Sequence, residues 1–124
     1  MTTAAQTPIA TLWIGDTLGD LEKLSLLSFA HQGHPVTLFH THPLQDTRLD
    51  GVTLRHAHDV FEYEDSLLDQ AAFADLFRLR MVRDTDLTWV DTDVFCLKPF
   101  LASDGYLIGF ESDTTVNNAV LRLP

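Results

Sequence analysis

The sequence predicts an α/β domain built on a largely parallel sheet. Two observations carry this expectation. Short apolar runs ending in glycine or polar residues alternate with longer segments whose leucines and phenylalanines recur at helical spacing. Strand and helix alternating along a chain is the pattern of parallel strands joined by helical crossovers.

Residues 9–14 form an apolar run that stops at Gly15, as a buried strand does. Thr17 and Asp20 then make a weak capping box, and Leu18, Leu21, Leu24 and Leu27 supply an apolar stripe for a first helix that Gly33 ends. A second strand is expected over 35–40, a polar loop with Pro43 over 41–51, and a short third strand over 52–54. Residues 58–68 carry no clear pattern. A second helix is expected over 67–83, with Asp84-Thr85-Asp86 as its polar end, then strands over 87–90 and 105–110.

The chain has 124 residues, 45% hydrophobic and 21% charged, which suits one domain over 8–124 behind a loose tail at 1–7. Eight basic against 18 acidic residues give a formal net charge of -10. That balance argues against nucleic-acid binding, which needs a basic footprint. It also repels anionic substrates unless a cation or local arginines intervene. The single cysteine, Cys96, can form no internal disulfide and reads as a small core hydrophobe. No signal-like segment opens the sequence, and no apolar run approaches the roughly 20 residues of a membrane span, so the expected location is the cytoplasm.

The most informative stretch is LTWVDTDVFCLKPF at 87–100. A strand-like start leads into Asp91 and Asp93, which an extended strand would aim to one side. Two carboxylates so placed repel each other unless something positive lies between them. A hard cation, Mg²⁺ or Mn²⁺, suits such oxygen ligands and is commonly shared with substrate phosphates. A solvated Asp-rich turn is the plainer explanation of an isolated Asp-x-Asp; the upstream context weighs against it. On the second helix, Asp75 and Arg78 share a face. They read either as a solvated ion pair or as an acceptor and a donor for sugar hydroxyls or a phosphate. Trp13-Ile14-Gly15 and Asp91-Thr92-Asp93 both fall at expected strand carboxyl ends, where open α/β sheets bind ligands.

Phe73-Ala74-Asp75-Leu76-Phe77-Arg78, followed by Trp89-Val90-Asp91-Thr92-Asp93-Val94-Phe95-Cys96-Leu97-Lys98-Pro99-Phe100, resembles the glycosyltransferases with a DXD-containing sugar-binding region. That group includes capsule-related and α-1,4-galactosyl- or mannosyltransferase-like proteins. Leu12 to Gly15, Ser25 to His34 and Asn117 to Pro124 are similar to the same family. The resemblance implies a GT-A fold, Rossmann-like, and a UDP- or GDP-sugar donor with a saccharide or similar acceptor. It also implies retention of anomeric configuration and a divalent cation, usually Mn²⁺. By the same resemblance, Asp93 binds the metal directly, and Asp91 acts through hydroxyls or a metal-bound water. Asp75 and Arg78 hold the donor sugar, and Trp13 stacks near the nucleobase, with Ile14, Gly15 and Thr92 beside the substrate. Asn118 matches an amide near donor and acceptor. The chain departs from the family at Asp86 and Leu87, where a glycine pair is usual, and at Leu79, where an aromatic is usual. A complete GT-A domain runs to about 200 residues or more. The 124 residues are therefore expected to be either an unusually short member or the donor-binding part of one, and in the second case an open sheet edge would favour homo-oligomers.

Two other readings stand beside this one. A haloacid-dehalogenase-like phosphohydrolase would use Asp91 as nucleophile and Asp93 as acid, but its later lysine and acidic pair are poorly matched by Lys98, Asp104, Glu111 and Asp113. A non-catalytic nucleotide-sugar-binding fragment is the third. His40 and His42, and His56 and His58, tempt a metal assignment; placement near element ends explains them more simply. Glu62, Glu64 and Asp65 read as a solvated run, and Trp89 as core.

Overall fold

The computed structural model describes residues 7–45, 49–62, 69–97, 107–110 and 116–122, the last two segments by their backbone. Strands β1 (Ile9–Trp13), β2 (Val36–His40), β3 (Val52–His56) and β4 (Thr88–Val90) run parallel. Strands β5 (Leu107–Phe110) and β6 (Val116–Arg122) extend the sheet antiparallel beyond β4, giving the order β3-β2-β1-β4-β6-β5. Two helices, α1 (Asp20–His31) and α2 (Gln70–Asp84), and a 3-10 turn at Ala57–Asp59 complete the described elements. The parallel α/β expectation holds for the first four strands. The last two make the sheet mixed.

Alternation along the strands sends side chains to two faces. Ile9, Val36, Leu38 and Val90 pack with Leu26 and Phe29 of α1 on one face. Ala10, Leu12, Phe39 and Trp89 pack with Phe73, Phe77 and Met81 of α2 on the other. Phe73, Phe77 and Met81 recur at i, i+4 and i+8, the stripe a core-facing helix presents. The sequence reading set the start of α2 at residue 67, but the helix opens at Gln70, where the Asp69 carboxylate caps it by accepting from Ala72 N–H at 2.7 Å.

The leucine stripe expected for α1 is not its buried face. Leu21 and Leu24 are 67% and 55% exposed, while Ser25, Leu26 and Phe29 are buried. Strict three-residue spacing drifts around a 3.6-residue helix, so the core face follows i, i+3 and i+4 instead. The expected capping box fails too. Gly19 is the N-cap, without a side-chain bond, and the Thr17 hydroxyl turns to Asp16. Gly33 ends α1 as expected. It adopts φ +91°, its N–H bonds Ala30 C=O, and His34 N–H bonds Phe29 C=O, which is a Schellman closure. Thr7, expected to end a loose tail, is buried and its carbonyl contacts His34 Nδ1 at 2.8 Å. Cys96 is buried, as expected of a small core residue. Among the described residues, no helix is long and apolar enough to cross a membrane.

Candidate functional site

The sheet order dictates where a ligand would enter. From β1 the chain passes to β2 and β3 on one side, then α2 returns it to β4 on the other. The carboxyl ends of β1 and β4 therefore flank a topological switch point, the usual crevice of open α/β sheets. An open cleft of about 530 Å³ lies there, lined by Thr11 to Ile14 from β1 and Glu22 from α1. Gln70, Ala74 and Arg78 from α2 and Trp89, Asp91, Thr92 and Asp93 from β4 and its exit line the rest. Continued past β4, the β1–β4 register sets Asp91 level with Leu12 and Thr92 level with Trp13.

Arg78, Trp89 and Asp91 form a closed polar unit in this cleft. The Arg78 guanidinium lies 5.0 Å from the centre of the Trp89 ring and donates to Asp91 Oδ1 at 3.2 Å. Trp89 Nε1–H donates to the same oxygen at 2.7 Å. The side chains of Arg78 and Asp91 are 15% and 32% exposed, so the pair is partly desolvated and better than a surface ion pair. Both donors fall on the same oxygen, Oδ1.

Asp91 and Asp93 differ from the expected geometry. Strand β4 ends at Val90, and Val94 N–H bonds Asp91 C=O at 3.2 Å, so the pair sits in a turn and not on one face of a strand. The two carboxylates still reach one cleft, but in different states: Asp91 is held, whereas Asp93 is exposed. Arg78 supplies to Asp91 the positive neighbour that the sequence reading assigned to a metal.

The turn is anchored from behind by α1. The Ser25 hydroxyl donates to Val94 C=O at 2.5 Å, Cys96 N–H donates to the Ser28 hydroxyl at 2.9 Å, and Gln32 Nε2 donates to Leu97 C=O at 3.2 Å. These residues lie along one side of α1 and fix the chain that leaves the carboxylates. Across the cleft, Trp13 Nε1–H donates to Thr17 C=O at 2.9 Å, which pins the ring over the loop after β1. Gly15 adopts φ +126° there, and its N–H reaches Thr41 Oγ1 at 3.3 Å. No protein family, curated protein or solved structure matches this chain.

Trp13, Ile14, Arg78, Asp91, Thr92 and Asp93 all line this cleft, and Gly15 follows Ile14 in the loop after β1. Asp75 does not: it is exposed on α2 and is not part of the cleft wall. The i,i+3 position places it one turn from Arg78, but Arg78 turns inward to Asp91. Asn118 lies on β6, two strands from β1. Lys98, Asp104, Glu111 and Asp113 lie outside the described residues, as do Glu64 and Asp65.

The sequence reading missed Glu22, Gln70 and Thr11. Gln70 and Glu22 sit in the first turns of α2 and α1, and helices that follow parallel strands begin at the strands' carboxyl ends. That rule was a signal for Glu22. The Glu22 carboxylate folds back against Gly19. Thr11 Oγ1 is buried with no hydrogen-bond partner among the described residues.

For a divalent cation the fit is partial but chemically sound. Asp93 and Asp91 carry hard oxygen donors on the cleft wall, and among the described residues no group of three or more metal-ligating side chains converges. Two carboxylates with substrate and water completing the shell is the common arrangement for Mg²⁺-type ions at phosphate sites.

Proposed function

We propose that this chain is a metal-dependent glycosyltransferase domain, or the donor-binding part of one, that takes a UDP- or GDP-sugar. The reading rests on one observation: an aromatic ring, a guanidinium and two carboxylates from separate segments meet in one cleft at the switch point. Trp13 offers a flat face to a nucleobase. Arg78, oriented by Trp89 and Asp91, brings a guanidinium to the cleft wall, a group suited to a sugar hydroxyl or a diphosphate. Thr92 supplies a hydroxyl to the ligand's polar edge. Glu22, Asp91 and Asp93 outnumber Arg78, so the cleft by itself repels a dianionic donor. Mn²⁺ or Mg²⁺ held by Asp93 and Asp91 would offset that repulsion and, when bound, stabilise the charge that develops on a diphosphate leaving group. Transfer to a saccharide acceptor with retention of configuration belongs to the same proposal.

A thermal-shift screen against UDP- and GDP-sugars, with and without Mn²⁺, tests it. A ligand that binds the native state raises the melting point by mass action. A rise that needs both the metal and one nucleotide-sugar is expected. A cooperative melt that no nucleotide-sugar moves contradicts the proposal.

A further inference from the structure

A second polar cluster lies beside the cleft and takes no part in it. His40 ends β2 and His56 ends β3, paired in register, and His40 is in turn paired with Trp13 of β1. Paired residues on parallel strands share a face, so Trp13, His40 and His56 form a row on the α1 side of the sheet. The His40 and His56 rings meet edge-on at 5.5 Å, and the His56 and His58 rings lie 4.5 Å apart.

Hydrogen bonding fixes the state of one ring. His58 N–H donates to His56 Nδ1 at 3.0 Å, so Nδ1 carries a lone pair and the proton sits on Nε2. That bond also caps the 3-10 turn Ala57–Asp59. His40 Nδ1 is buried and has no hydrogen-bond partner. Burial and the neighbouring His56 both hold the His40 imidazole below its ordinary value, against smaller opposing effects from the His42 backbone and Asp59.

The surrounding charges do little to favour protonation. Asp59 is the nearby carboxylate, and it is bonded to Arg55 Nε at 3.2 Å. Arg55 itself lies over Phe39 on the opposite face. From the following loop, His42 contacts Thr41 Oγ1. The face of α1 toward this side of the sheet is apolar, through Leu26 and Phe29. Metal ligation is disfavoured by the same bond that fixes His56. A ligating imidazole normally donates its second nitrogen's proton to an acceptor, whereas His56 receives a proton there and keeps its own on Nε2.

We propose that His40, His56 and His58 form an acid-sensitive latch at the carboxyl ends of β2 and β3, closed while the rings are neutral and opened by protonation. Protonating His56 at Nδ1 turns an acceptor into a donor and breaks the cap on the 3-10 turn. Protonating His40 as well puts like charges on adjacent strand ends. The consequence reaches the cleft, because the loop after His40 braces it. Thr41 N–H bonds Trp13 C=O at 3.3 Å, Thr41 Oγ1 takes Gly15 N–H, and Gln45 N–H bonds Asp16 C=O at 2.9 Å.

Imidazole titration by NMR, from about pH 8 to about pH 5, tests the latch. In the wild type, His56 should show the Nε2–H form at high pH, and His40 should gain its proton below 6.5. The amides of His58 and Thr41 should shift across this pH range. His56 in the Nδ1–H form, or His40 titrating at or above 6.5, overturns the proposal. A second measurement uses His40→Phe, which keeps a ring of similar size without the titrating group. Its urea midpoint should gain on that of the wild type as the pH falls below 6.5. A constant difference between the two proteins across that range overturns the proposal, as does saturable Zn²⁺ binding by the wild type that His40→Phe abolishes.

Discussion

Two polar clusters occupy the same end of one sheet and handle charge in opposite ways. At β1 and β4, the cleft holds permanent charges, with Asp91 satisfied by Arg78 and Trp89 and Asp93 left open. At β2 and β3, the second cluster is built from imidazole rings in contact, with His56 Nδ1 accepting from His58 N–H. The comparison teaches that a strand's carboxyl end does not by itself make a charged site. The cleft is charged because α2 delivers Arg78 to it, whereas at the histidine row Asp59 is bound to Arg55 and burial holds His40 below its ordinary value.

Removing the cation of the cleft should have the largest effect. Arg78→Ala strands a partly buried carboxylate and uncovers Trp89, and should cost about 2 kcal/mol or more by urea unfolding. A cost below about 0.5 kcal/mol would mean that the Arg78–Asp91 pair behaves as a surface ion pair.

The two carboxylates should then separate. Asp91→Asn weakens two hydrogen bonds to one oxygen and should cost about 1 kcal/mol. Asp93→Asn touches no such network and should stay within about 0.5 kcal/mol of the wild type, while removing metal-dependent ligand binding. Equal stability losses in the two variants would erase the distinction drawn between them.

Acid should act on the other cluster. The folded protein holds His40 below the ordinary imidazole value of 6.5, so the unfolded chain binds the proton first as the pH drops. Stability from this residue is therefore intact above 6.5 and falls as the pH descends below it, until folded His40 also protonates. Urea midpoints measured above and below 6.5 should show this loss in the wild type and a smaller loss in His40→Phe. The smallest effect should come from the cap. His56→Ala should cost about 0.5 kcal/mol, and His56→Asn, which can still accept His58 N–H, should cost less. Equal costs would place the role of His56 in its ring contacts.

Much of this was legible in the sequence, for identifiable reasons. The apolar runs of β1 and β2 and the turn at Gly33 are local signals, and the first four strands form as read. The cleft residues from β1 and β4 were legible because strand carboxyl ends gather at one edge of a parallel sheet. What failed was orientation. Leu21 and Leu24 look like a core stripe, yet only packing decides which side of α1 is covered, and Ser25 took that side by bonding Val94. Asp75 and Arg78 look like a pair at i,i+3, yet Arg78 found a better partner at a distance in sequence that no local pattern encodes. The antiparallel turn to β6 was equally unreadable, since nothing in 116–122 records which edge it joins.

The central claim is that the cleft at β1 and β4 is a donor site completed by a cation. The chain has two tryptophans, Trp13 and Trp89, and both line that cleft, so intrinsic fluorescence reports on it directly. Titrating the protein with the nucleotide-sugar in the presence and absence of Mn²⁺ should give a saturable change that requires the metal. A flat or linear response under both conditions, from protein that unfolds cooperatively, would contradict the account.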